Sequence, residues 1–177
     1  MDNTPTHEPR SEAALWVVRA GRKGRYASEF EIGGFVAIRF QPVGDVSGMS
    51  RNQVTELVAL KRPGKKQKIF ADAGMLYRFA NEMELGDIVI TPDGGTRELL
   101  FGEVVGPYEY RKTPAVSDFQ HVRKVGWLGR YSRDDLPEEV LSSLGSRQTV
   151  FEPKGHKDYL LALLRDLFRW ESSPKTT

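Results

Sequence analysis

Residues 87–105 constrain the fold of this chain more than any other segment. Asp87 to Thr91 and Arg97 to Val105 are both strand-like runs, and Pro92-Asp93-Gly94-Gly95 lies between them. A connection this short joins antiparallel neighbours, because a parallel crossover needs a dozen or more residues. Other strand-like runs can join this hairpin. Leu15 to Ala20 ends at Gly21, Phe35 to Phe40 follows Gly33-Gly34, and Gln120 to Leu128 and Thr149 to Phe151 come later. Most are joined by hairpins or short helices, not by a regular βαβ alternation, which predicts a small mixed or antiparallel sheet curled towards a barrel.

Helical spacing fills the remaining segments. Ser50 precedes Val54, Leu57 and Val58 as an N-cap would. Asp72 reads as a second N-cap, before Met75, Leu76, Phe79, Ala80 and Met83, with Gly86 as the stop. Asp135 and Glu138 form a capping-box pattern ahead of Leu136, Val140, Leu141 and Leu144. Leu160, Leu163, Leu164, Leu167 and Phe168 make the apolar stripe of a last helix over 156–170. The fold class is therefore α+β, occupying residues 13–170. The polar segments 1–12 and 171–177 read as disordered tails.

Composition excludes several functions. There are no cysteines among the 177 residues, so disulfides, cysteine–zinc sites and thiol nucleophiles are absent. No apolar run approaches bilayer length, and the N-terminus lacks a signal-peptide pattern, so a cytoplasmic protein without membrane partners is expected. His7, His121 and His156 have no metal-ligand spacing, and neither a Walker loop nor a Gly-x-Ser-x-Gly elbow occurs. No metal and no cofactor is expected. One catalytic pattern remains as an alternative: Glu152-Pro153-Lys154 matches half of a metal-dependent nuclease motif, with Asp135 upstream. Pro153 argues against it, because that pair normally sits on a central strand and proline cannot donate to the ladder.

The net charge of +2 conceals clustering: Arg19 to Arg25 holds four cations, Lys61 to Lys68 holds five, and neither holds an acid. Aromatic residues are interleaved with cations, as with Trp16 before Arg19, Tyr26 after Arg25, Tyr77 beside Arg78, and Trp127 between Lys124 and Arg130. Rings stack on bases while Arg and Lys hold phosphates, so the combination suits nucleic-acid binding. The same rings would equally fill a core, and Phe79 falls on its helix's apolar stripe. The small residues Ala20-Gly21 and Ala73-Gly74 would let a ligand approach the backbone closely.

The ordered set Leu15-Trp16-Val17-Val18-Arg19-Ala20-Gly21, Asp72-Ala73-Gly74-Met75-Leu76-Tyr77-Arg78-Phe79, Glu82-Met83-Glu84-Leu85-Gly86-Asp87-Ile88-Val89-Ile90, Gly102-Glu103-Val104-Val105-Gly106-Pro107-Tyr108 and His121-Val122-Arg123-Lys124-Val125-Gly126-Trp127 resembles the PUA-like superfamily. In particular it resembles EVE-like domains found at the N-terminus of Mrr-type and other modification-dependent (type IV) restriction proteins. The resemblance implies a small curled β-barrel with flanking helices that acts without catalysis. It implies a DNA reader in a restriction or defence system that flips a methylated or hydroxymethylated base into an aromatic-lined pocket. A nuclease or ATPase partner would supply any cleavage. The implied pocket comprises Trp16, Arg19, Ala20, Gly21, Phe40, Gly74, Tyr77, Thr91, Asp93 and Trp127, with Asp93 able to accept a hydrogen bond from an exocyclic amine. Arg22, Lys23, Arg25, Lys61, Arg62, Lys65, Lys66 and Lys68 would grip the backbone. An EVE- or ASCH-like RNA binder is the alternative, distinguished by a preference for the 2′-hydroxyl.

Overall fold

A computed structural model describes residues 12–171 of the protein. Apart from Glu12 and Glu171, the tails expected at 1–12 and 171–177 lie outside the described residues. The described residues form six strands in one mixed sheet, ordered β2-β5-β4-β3-β1-β6. The strands are β1 (Leu15–Val18), β2 (Phe35–Ile38), β3 (Ile88–Asp93), β4 (Glu98–Tyr110), β5 (His121–Ser132) and β6 (Val150–Phe151). Only β1 and β3 pair in parallel, with Trp16 opposite Val89; the remaining pairs are antiparallel.

Side-chain alternation along the strands builds two cores. Trp16, Val18, Val89, Leu100 and Val104 point into one cluster. Leu15, Val17, Ile88, Ile90, Leu99 and Phe101, their neighbours along the same strands, point into the other. With period two, a strand buried on both faces must be apolar at consecutive positions, which is why β1 and β3 read as unbroken apolar runs. Helices α1 (Ala27–Gly33), α2 (Arg51–Lys61) and α3 (Lys66–Tyr77) contribute to the first cluster. Helices α4 (Glu138–Ser143) and α5 (Lys157–Phe168) cover the second. No described helix is long and apolar enough to cross a membrane.

Local chemistry fixes the helix ends. At α2 the Ser50 hydroxyl accepts from the Gln53 N–H at 3.2 Å, and the Gln53 side chain accepts from the Ser50 N–H at 2.8 Å. This reciprocal pair is the capping box. Two expected caps are corrected. Asp72 lies in the middle of α3, where its carboxylate takes Lys68 one turn earlier at 3.0 Å and Arg62 at 3.7 Å. Its charge is thus satisfied by cations and not by helix N–H groups, and Gly74 offers no free helix terminus. Asp135 lies in a single 3-10 turn, Arg133–Asp135, and the residue before α4 is Pro137.

Two buried polar groups lock the layers together. The Asp87 carboxylate accepts from the Ala14 N–H at 3.0 Å, the Trp16 indole N–H at 3.0 Å and the Glu84 N–H at 2.9 Å. It thereby joins β1 to the start of β3. After α3 the chain makes one wide π-turn, Arg78–Glu82, and Arg123 from β5 sits beneath it. The Arg123 guanidinium donates to the carbonyls of Phe79, Ala80 and Met83 at 3.0, 3.0 and 2.7 Å. Those carbonyls would otherwise be orphaned at a buried helix end. Burial lowers the Arg123 pKa to about 10, partly offset by Asp87.

Candidate functional site

One cavity of about 1090 Å³ opens where the chain leaves β1 and β2. Arg19 and Gly21 follow β1, and the next loop brings Arg22, Lys23, Arg25 and Tyr26. Arg39 and Gln41 follow β2, and Arg62 reaches in from the end of α2. The β4–β5 loop adds Ser117, Asp118 and Phe119, and the segment before β6 adds Arg147 and Thr149. Among the described residues the wall thus carries seven cationic side chains and one carboxylate. On a chain whose net charge is only +2, this is a strong concentration of positive charge.

The first cation loop is closely packed. Gly21 has φ +75°, and a Cβ there would lie 2.8 Å from the Tyr26 ring. Gly24 has φ +67°, and a Cβ there would collide with the Pro92 carbonyl oxygen; a Cβ on Gly94 would collide with the Lys23 carbonyl. The loop therefore packs backbone to backbone on the β3–β4 turn, an approach only glycine permits. Lys23 and Ser117, both in the wall, adopt left-handed conformations at φ 56° and 49°. Such strain concentrates at sites where the surrounding structure dictates the backbone.

The charges are poorly neutralised. Arg39 pairs with Asp118 at 2.6 Å, and Arg62 reaches Asp72 at 3.7 Å while lying 4.7 Å above the Phe40 ring. Arg22, Lys23, Arg25 and Arg147 form no ion pair with any described residue. Arg19 is partly buried, and its guanidinium is held by the Ser146 carbonyl. Its Nε has no hydrogen-bond partner among the described residues, and burial alone lowers its pKa. A desolvated cation without a counter-charge favours an anionic ligand. Beside these cations, Tyr26 and Phe119 meet edge to face with centroids 5.3 Å apart, and the Arg25 guanidinium lies 4.9 Å from the Tyr26 centroid.

Of the residues implied for a base pocket, Arg19 and Gly21 line this cavity; of the backbone set, so do Arg22, Lys23, Arg25 and Arg62. The others lie elsewhere. Trp16 and Ala20 are fully buried in the first core. Phe40 is buried under Arg62, and Gly74 and Tyr77 sit inside α3, with Arg51 4.7 Å above the Tyr77 ring. Thr91 is buried and donates to the Val18 carbonyl at 2.9 Å. Asp93 is buried against Arg130 at 2.9 Å; burial alone would raise its pKa, but Arg130 and the Gly95 N–H hold it below the ordinary value. The Trp127 indole donates to the Phe30 carbonyl at 2.8 Å. These side chains spend their hydrogen bonds and faces on packing, so the implied aromatic pocket is not formed in this structure. Lys61, Lys65, Lys66 and Lys68 are exposed around the α2–α3 turn, outside the cavity wall. Asp135, Glu152 and Lys154 are not assembled into a metal site, and the described residues contain no acid or histidine cluster fit to hold one.

Arg39, Gln41, Ser117, Asp118, Phe119, Arg147 and Thr149 carry no sequence signal, because each is an isolated residue in a loop. Only the fold brings them together.

The sequence matches the family model described as "Domain of unknown function (DUF8426)" over residues 16–153. That range encloses every residue of the cavity wall and stops before α5. No curated protein matches the chain.

Proposed function

We propose a function for this chain, which belongs to the DUF8426 family: it is a non-catalytic nucleic-acid-binding module whose cationic cavity holds the backbone of a strand and one extruded base. The observation that carries the reading is the wall of seven cations facing a single carboxylate. Arg22, Lys23, Arg25 and Arg147 have no protein counter-charge among the described residues, so phosphates supply it. The Tyr26–Phe119 edge offers aromatic surface beside the phosphate-binding groups. The volume of about 1090 Å³ accommodates a nucleotide together with its flanking phosphates.

The PUA-like, EVE-like resemblance extends the proposal to a curled, barrel-like sheet and to DNA carrying a modified base, as the reader of a restriction or defence system. The curled form is supported by one topological fact. β1 and β2 are separated in the sheet by β3, β4 and β5, yet the segments leaving both strands line the same cavity.

Fluorescence anisotropy at several salt concentrations tests the reading, with matched single-stranded and duplex DNA, modified and unmodified, and RNA equivalents. Contact with about four phosphates gives a slope of log K against log salt of about −3 for single strands. Binding to none of these strands at low salt would remove the proposal. Equal binding to all would leave the cationic surface and remove the modified base.

A further inference from the structure

Among the described residues, Asp118 is the only carboxylate in the cavity wall. Its placement is specific. The Val116 carbonyl accepts the Phe119 N–H at 2.9 Å, which closes a tight four-residue turn, and the Ala115 N–H donates to the Phe119 carbonyl at 3.0 Å. Ser117 takes the left-handed conformation the turn demands. A single turn therefore carries both Asp118 and the next residue, Phe119, whose ring meets Tyr26. A carboxylate lowers the affinity of an anion site unless it recognises something on the ligand. Here it also binds Arg39 at 2.6 Å, but the Arg39 side chain is 63% exposed and Asp118 32%. Ion pairs this exposed are weak and exchange readily.

We infer that Asp118 reads the base, accepting a hydrogen bond from an exocyclic amine while Arg39 transfers from Asp118 to a ligand phosphate. The inference rests on the nucleic-acid reading proposed above and adds to it the class of base. Binding exchanges one internal ion pair for two charge-assisted contacts, Arg39 to phosphate and Asp118 to the amine of cytosine, adenine or guanine. Thymine and uracil are disfavoured, because the carbonyl oxygens flanking their N3–H repel a carboxylate. Gln41, whose side-chain amide lies 3.5 Å from that of Gln120, is the neutral polar side chain on the β2 side of the wall.

The probes are single strands with an entirely abasic backbone carrying one central cytosine, adenine, thymine or no base, measured with the full chain. The abasic strand reports the phosphates alone. We expect cytosine or adenine to bind about tenfold more tightly than thymine, the size of one charged hydrogen bond. In Asp118→Asn that ratio falls to near one, while binding of the thymine and abasic strands strengthens because a negative charge has left the cavity. Arg39→Ala frees Asp118, keeping the ratio while weakening every strand. Binding of all strands by the wild-type chain without base preference, or a ratio that survives Asp118→Asn, overturns this inference and leaves the cationic site standing. Failure of even the abasic strand to bind at low salt overturns both.

Discussion

Acidification should weaken the fold through His121 by about 3 kcal/mol, as the pKa shift between folded and unfolded chains requires. The ring is 1% exposed. Its Nε2 lies 3.0 Å from the Val43 carbonyl oxygen, which can only accept, so Nε2 carries the proton. Nδ1 then accepts from the Tyr108 hydroxyl at 2.6 Å. A second proton, on Nδ1, would face the Tyr108 oxygen and force that hydrogen bond to reverse. Burial accordingly lowers the His121 pKa from 6.5 to about 4, opposed weakly by the Val43 carbonyl and Asp45. The same burial raises the Tyr108 hydroxyl. As pH falls, the unfolded chain takes up its proton first. Stability from His121 is therefore complete above the unfolded value of 6.5 and is lost between there and about 4. The fall from 6.5 to about 4, at 1.36 kcal/mol for each pH unit, gives ~3 kcal/mol. Urea unfolding followed by tryptophan fluorescence measures it, for the wild type and His121→Gln in parallel. Carboxylates also titrate in this range, so the difference between the two pH profiles isolates the imidazole. Parallel profiles, or an imidazole pKa between 6 and 7 in the NMR spectrum of the folded protein, would refute the reasoning.

Asp87→Ala strands three N–H donors, two of them buried, and should destabilise the protein by about 2–6 kcal/mol at 1–3 kcal/mol for each buried donor; thermal and urea melts check this. Arg147→Ala should weaken all strands alike and reduce the magnitude of the salt slope by about one, measured by anisotropy across a salt series. Tyr77→Ala should cost about 3 kcal/mol of stability by emptying a core position, without altering base preference at a temperature where the variant is folded. Gly24→Ala places a Cβ against the Pro92 carbonyl at positive φ and should cost about 2–4 kcal/mol, with weaker binding because the cation loop is displaced.

The scaffold was more legible in the sequence than the site. Apolar runs marked the six strands, since a doubly covered sheet needs apolar residues at consecutive positions. The short connection expected at Pro92-Asp93-Gly94-Gly95 is a hairpin, but Pro92 and Asp93 still pair within β3 and the turn itself lies at 94–97, two residues later than expected. Helix α1 went unrecognised because Ala27–Gly33 is short, and most of its burial comes from Ala27 and Phe30. An acid at a helix start and an acid ion-paired one turn after a lysine look alike in sequence, so Asp72 reads as a cap although it lies mid-helix against Lys68. The site divided in the same way. Arg22, Lys23 and Arg25 were visible as a charge cluster. Trp16 and Tyr77 looked like stacking platforms because aromatic residues near cations have the same pattern in a core and in a cleft. Whether Trp16 meets a base or Asp87 depends on which carboxylate folds beneath it, a contact spanning 71 residues. Arg39, Asp118 and Arg147 converge only because the β4–β5 turn and the segment before β6 are brought to one end of the sheet.

The glycine contact between the first cation loop and the β3–β4 turn has a kinetic consequence. Gly24 against Pro92, and Gly94 against Lys23, pack the loop backbone directly onto the hairpin. The incoming strand therefore meets charges already in position, and little free energy is lost in ordering them. Association should be a single fast phase, accelerated by low salt, with the release of Arg39 from Asp118 as the one local rearrangement. The heat-capacity change on binding should be correspondingly small, since no loop folds onto the ligand.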